Sequence, residues 1–175
     1  MWGIIPAAGA GTRIQPLAFS KELPPICGGT DADDRRPRAV SDYLVERLVL
    51  GGATKIRFVI SAGKSDILEY YGGSAYSAAV CYAVQPKQAG LCDAIFRALP
   101  VIDKDAPVLI GLPDTIWFPK DAIKALPEDR AHSKFRLCCW CNYTNSGVRE
   151  TRPTSILGRS STHGWQRAAW PSVSA

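Results

Sequence analysis

Apolar residues along the first 130 positions fall into short runs that alternate between two periods. Gly3-Ile4-Ile5-Pro6-Ala7 is an apolar run ending in a glycine-rich turn and predicts a buried first strand. From Arg38 to Leu50, apolar residues recur at Val40, Leu44 and Leu48 and again at Val45 and Val49. That is helical spacing, with Ser41 as candidate cap and Gly51-Gly52 as the stop. Ile56-Arg57-Phe58-Val59-Ile60 predicts a second strand, Asp66 to Tyr71 a short helix closed by Gly72-Gly73, and Val80-Cys81-Tyr82-Ala83-Val84 a third strand. Leu91 to Leu99 is apolar at 91, 94, 95, 98 and 99 and predicts the most regular helix. Pro107 to Leu112 predicts the fourth strand, and Asp121 to Leu126 a helix of weaker period.

Strands and helices alternating at this spacing predict an α/β fold: a Rossmann-like three-layer α/β/α arrangement around a mainly parallel sheet. In such sheets ligands bind beyond the carboxyl ends of the strands. Three of the strands run into chemically suggestive loops, Ala8 to Lys21, Gln85 to Gly90 and Pro113 to Trp117. All three are expected to open onto one crevice.

After about Arg130 the pattern stops. The stretch 131–175 has no sustained period of 2 or 3.6, yet it holds three of the six Cys, three of the five Trp and both His. The organisation expected is therefore a domain over 1–130 followed by a poorly ordered tail over 131–175, which cannot bury enough apolar surface to offset its ordering entropy. Its composition resembles a shifted reading frame or a truncation. Cys138, Cys141 and His163 lack a full ligand set and a metal-site spacing. Cys27, Cys81 and Cys92 are scattered, and Cys81 reads as a small buried hydrophobe within a strand.

Charge narrows the function. The net charge is +5, but through residue 130 basic and acidic residues balance at 15 each, and six basic against one acidic residue in 131–175 supply the whole excess. No basic face belongs to the folded part, which argues against nucleic acid as a partner. Neither a leader pattern nor an apolar run of about 18 residues is present, so no membrane span and a cytoplasmic location are expected.

The first loop carries the chemistry. In Ala7-Ala8-Gly9-Ala10-Gly11-Thr12-Arg13 the glycines allow a tight turn and close backbone approach to a phosphate, and successive N–H groups form an anion-binding concavity. Arg13 can grip phosphate oxygens bidentately, and Lys21 brings a second positive charge. A dinucleotide-binding fingerprint would need Gly or Ala where Ile14 stands and an acidic residue where Ser61-Ala62-Gly63 closes the second strand. A P-loop is absent as well. On the residues alone, Lys21 also reads as a solvated charge, Gln85 as a polar loop residue, Asp114 as a cap, and Asp93 as an acidic residue favoured by its helix dipole.

Gly9-Ala10-Gly11-Thr12-Arg13, then Pro16, then Ser20-Lys21-Glu22-Leu23-Pro24-Pro25-Ile26 resemble the signature of the sugar nucleotidylyltransferases, the glucose-1-phosphate uridylyl- and thymidylyltransferases. Val84-Gln85-Pro86 with Gly90-Leu91-Cys92-Asp93-Ala94-Ile95 resembles their base-recognition segment, and Leu112-Pro113-Asp114 their metal-binding aspartate. Ala7-Ala8 ahead of Gly9 is closer to the uridylyltransferase form. The resemblance implies a nucleotide-diphospho-sugar transferase-like fold, incomplete at its C-terminus. It implies transfer of a nucleotidyl group from UTP or dTTP to a sugar 1-phosphate with Mg²⁺ as cofactor, and it is compatible with a homo-oligomer. By the same resemblance Ala8, Gly9, Gly11 and Thr12 line the nucleotide and Arg13 holds the departing pyrophosphate. Lys21 contacts the phosphate under attack, Gln85 and the Gly90 backbone read the pyrimidine, and Asp114 holds Mg²⁺.

The chain departs from the family in two places. Residues 131–175 show no counterpart of its later strands, its second metal-ligating aspartate or its sugar-phosphate lysine. Cys27 to Arg36 forms a longer polar insertion, expected to be a surface loop. Two alternatives stay open: a non-catalytic nucleotide-binding module using the same crevice, and a transferase of this fold acting on a phosphorylated alcohol.

Overall fold

The computed structural model describes residues 1–26, 37–117, 120–125 and 135–138, the last four as backbone. The insertion at Cys27 to Arg36 and the side chains of Cys138, Cys141 and His163 lie outside the described residues.

The four predicted strands form as β1 (Trp2–Pro6), β4 (Lys55–Ile60), β6 (Ala78–Val84) and β7 (Val108–Gly111). Between them come two-residue strands β2 (Pro25–Ile26), β3 (Arg38–Ala39) and β5 (Ser74–Ala75), too short to leave a period in the sequence. An additional strand, β8 (Phe135–Cys138), lies beyond residue 130 and pairs in parallel with β7 from Val108↔Phe135 to Gly111↔Cys138. The sequence reading assigned no strand to these four residues. Arg136 interrupts the continuous apolar run that marks the equally short β7, so no strand is signalled there.

Among the described residues the main sheet has the order β5-β6-β4-β1-β7-β8, and all its pairings are parallel except the β5–β6 hairpin. β2 and β3 pair separately and antiparallel. Chain order runs outward from β1 in both directions, so the sheet reverses between β1 and β7. That reversal opens a crevice where the loops after the two strands diverge.

Side chains alternate across the strands and divide the core in two. Ile5, Ile56, Phe58 and Ile60 face Leu44, Val45 and Leu48 of α1 (Val40–Leu50) and Ile67 and Tyr71 of α2 (Ser65–Tyr71). Ile4, Val59, Ala83, Val108 and Ile110 face Ala94 and Ala98 of α3 (Leu91–Ala98). Helices thus cover both faces, as expected of the three-layer fold. Pro100 turns the end of α3 into the 3₁₀ segment Leu99–Val101.

Three local expectations are corrected. The helix expected at Asp121 to Leu126 is a 3₁₀ turn over Ala122–Ala125, which has a single turn's worth of bonds. Ser41 does not cap α1. The N–H groups of Val40 and Ser41 donate to the carbonyls of Pro24 and Glu22, and the Ser41 hydroxyl meets Glu22 O and Tyr71 OH, each at 2.7 Å. Cys81 is half-buried, with its sulfur 3.8 Å from an Arg57 guanidinium nitrogen. Among the described residues no helix is long and apolar enough to cross a membrane.

α1 packs tightly on the sheet at Gly111, where an added Cβ would collide with the δ-methyls of fully buried Leu44. Gly111→Ala should destabilise by about 1–3 kcal/mol and Leu44→Ala by about 2–5 kcal/mol. The double variant should cost less than the sum, because the new methyl enters the space Leu44 vacates. Urea unfolding checks this, and strict additivity would contradict the contact.

Candidate active site

The loop after β1 is built around the stem of Lys21. Gly11 has φ +64°, a left-handed conformation that favours glycine, and a Cβ there would stand 3.0 Å from Lys21 Cδ. A Cβ on Gly9 would stand 3.7 Å from Lys21 Cε. Ala8 is buried, while Thr12 and Arg13 are exposed in the 3₁₀ turn Thr12–Ile14. The Lys21 ammonium then reaches across the reversal of the sheet and lies 3.1 Å from Asp114 Oδ2, in the loop after β7. Two of the three expected loops therefore meet directly through Lys21.

The residues flanking Lys21 are both tied to the start of α2, at Lys64 just before it and Asp66 in its first turn. Ser20 donates its N–H and hydroxyl to the two carboxylate oxygens of Asp66, at 2.6 and 2.7 Å. Glu22, fully buried, takes Lys64 Nζ on Oε2 at 2.7 Å, and the same ammonium donates to Ala7 O at 2.6 Å. Partial burial pushes the Asp66 carboxyl up, but the Ser20 hydroxyl, the Ser20 and Ile67 N–H groups and the Lys64 charge outweigh it and hold it below its ordinary value. The bridge to Ser20 is thus fully present above the ordinary carboxylate range and is lost only as pH falls through the lowered value. Sequence reading missed Lys64 and Asp66. Both sit at the mouth of a helix, where a charged residue looks like a solvated cap.

Gln85 directly follows β6 at the same edge of the sheet and is buried. With β4 lying between β6 and β1, it stands about 10 Å across the sheet from the glycine loop. Its Nε2 donates to Asp93 Oδ2 at 2.7 Å and to Gly90 O at 3.2 Å. Because a carboxylate only accepts, the bond to Asp93 fixes Nε2 as the donor on that side and leaves Oε1 as the remaining acceptor of the Gln85 amide. The Gln85 hydrogen bond holds the Asp93 carboxyl below its ordinary value, against some desolvation and with help from Arg97. Asp93 lies in the first turn of α3, as the dipole reading expected, and it also orients Gln85. Gly90 precedes the helix at φ +90°, with open space around it.

The Asp114 loop is pinned from below. Arg47 of α1, almost fully buried, donates Nε and Nη2 to Trp117 O at 3.1 and 2.8 Å and Nη1 to Tyr43 O at 2.8 Å. Asp114 itself is largely open to solvent. Among the described residues no group of three or more His, Cys, Asp or Glu side chains forms a cation cage. One exposed carboxylate suits a hard cation that arrives with substrate phosphates, since Mg²⁺ needs only one or two protein carboxylates.

Comparison with known proteins agrees with this architecture. Residues 2–145 match the family model described as nucleotidyl transferase. The UTP–glucose-1-phosphate uridylyltransferase AglF of Haloferax volcanii is 31% identical over 137 residues, which cover 77% of this chain and 53% of that protein. A UDP-glucose pyrophosphorylase crystallised with UDP-glucose superposes with a TM-score of 0.56 at 23% identity, over 71% of this chain and 51% of the other. A UTP-bound UGPase from Acinetobacter baumannii gives 0.58 at 20%, over 70% and 50%. The chain thus spans about half the length of the relatives it matches. With the fold shared, and the family model covering the glycine loop, Lys21, Gln85 and Asp114 alike, the chain belongs to the nucleotidyl transferase family.

Proposed function

We propose that this chain transfers a uridylyl group from UTP to a sugar 1-phosphate with release of pyrophosphate, assisted by Mg²⁺. The observation that carries the reading is the Lys21 ammonium, wrapped by the glycine loop and 3.1 Å from Asp114 at the reversal of the sheet. The relatives' names support UTP and glucose 1-phosphate as the first pair to test.

The attacking oxygen belongs to a phosphate that is already ionised at neutral pH, so no general base is required. It bonds to the α-phosphorus as the link from that phosphorus to the bridging β-phosphate oxygen breaks, and pyrophosphate leaves with the electron pair. The protein's task is alignment and charge neutralisation. The backbone of Ala8, Gly9, Gly11 and Thr12 lines the triphosphate, Lys21 faces the phosphate under attack, and Arg13 holds the departing pyrophosphate. Asp114, together with nucleotide phosphates, would hold Mg²⁺, which would supply further charge neutralisation. Gln85 Oε1, the acceptor left by the bond to Asp93, accepts a hydrogen bond from the N3–H of uracil. Thymine offers the same donor, whereas cytosine presents an acceptor there, so Gln85 selects uracil or thymine over cytosine without separating the first two.

A coupled assay of pyrophosphate release with UTP and glucose 1-phosphate tests the reading directly. Turnover with UTP and not CTP is expected, and UTP binding without turnover would contradict catalysis. Asp114→Asn should keep the melting temperature and lower kcat/KM by about 10²-fold or more, with Mg²⁺ dependence blunted. An active variant with unchanged Mg²⁺ dependence would refute the assignment of Asp114.

Gln85→Leu should weaken UTP by about 1–3 kcal/mol, because the polar edge of the base is left unpaired. Calorimetry should show tripolyphosphate binding almost unchanged. Equal losses for UTP and tripolyphosphate would mean that Gln85 does not read the base.

A further inference from the structure

The interior beside the glycine loop holds a carboxylate for which the reaction above has no use. Glu22 is fully buried, and its Oε1 has no hydrogen-bond partner. That oxygen lies 3.6 Å from Lys21 Nζ, while Asp114 Oδ2 lies 3.1 Å from the same nitrogen. Lys21 therefore stands between two anions, one buried and one exposed. A buried, uncompensated carboxylate attracts a nearby cation far more strongly than an exposed one, because little water screens it. What prevents capture is Lys64, whose ammonium already sits 2.7 Å from Glu22 Oε2.

We infer that Lys64 is a positioning residue for the transfer: by neutralising Glu22 it keeps the Lys21 ammonium turned toward Asp114 and the substrate phosphates. The backbone at Lys21 is held independently, through Ser20 on Asp66 and through Glu22 O, which accepts from Ser41 N–H at 3.1 Å and from its hydroxyl at 2.7 Å. Loss of Lys64 thus acts on the Lys21 side chain, already an ion-pair partner of Glu22 Oε1 at 3.6 Å, which needs to swing by only about 1 Å to hydrogen-bond it.

The inference rests on the role proposed for Lys21, and second-site rescue tests it. Lys64→Met should lower kcat and weaken tripolyphosphate binding, each by about 10-fold or more. Adding Glu22→Gln should return both most of the way, since the competing charge is gone even though the bond to Ala7 O is still missing. Lys64→Arg should retain most of the activity. A double variant as impaired in tripolyphosphate binding as Lys64→Met would overturn the inference, because removing the Glu22 charge would then not free Lys21. So would a folded Lys64→Met with unchanged tripolyphosphate affinity. If Lys64→Met does not fold, the double variant against wild type decides: near-normal binding supports the inference, and a loss of about 10-fold overturns it. A wild-type chain that binds triphosphate without making a nucleotide sugar contradicts the proposed reaction alone, because the binding comparison still reads the role of Lys64.

Discussion

The carboxylate of Glu22 and the ammonium of Lys64, 2.7 Å apart and both removed from solvent, join three segments distant in sequence. Glu22 belongs to the loop that carries Lys21, Lys64 to the connection between β4 and α2, and the bond that the Lys64 ammonium donates to Ala7 O ties in the residue after β1. Burying two charges is costly, and removing either partner alone is strongly destabilising because the other is left uncompensated. Such a pair is a poor way to gain stability and an effective way to fix geometry. Around it the glycine loop closes on the stem of Lys21, and the ammonium of Lys21 is left to span toward Asp114.

The sheet supplies the other half of the constraint. β1 lies between β4 and β7, and the chain order reverses there, so the loops after β1 and β7 face each other across a gap instead of being drawn together by a crossover. α1 braces this arrangement from one face. Its first N–H groups take the carbonyls of Pro24 and Glu22, and Arg47 near its other end holds Trp117 O. A single helix thus supports both loops that meet at Lys21, and packing in the core is transmitted to the spacing of charged groups at the edge.

Much of this was legible in the sequence. The four main strands and three helices announced themselves through period, and the glycine-rich turn followed by Lys21, then Gln85 and Asp114, marked the strand ends that share one edge. What stayed hidden was tertiary. Ser41 looks like a helix cap, but its hydroxyl is taken by Glu22 O and Tyr71, and backbone carbonyls do the capping. Lys64 and Asp66 look like surface charges at a helix start, and only the fold brings them to Glu22 and Ser20 across more than 40 positions of chain. Asp93 fits a dipole rule so well that its second task, setting the direction of the Gln85 amide, has no signature in one dimension. Strand β8 lies beyond residue 130, and its Arg136 breaks the apolar run that marks its equally short neighbour β7.

The central claim is that one edge of the sheet, from Gln85 across the glycine loop to Asp114, forms a continuous triphosphate site organised on Lys21. Hydrogen exchange of the full chain with and without UTP tests it most directly, because it reads backbone protection at every loop at once. The account predicts new protection at residues 9–13, 20–22, 85–90 and 113–115, with α1 unchanged except at its first turn. Protection confined to the glycine loop, or centred on another edge of the sheet, would contradict it.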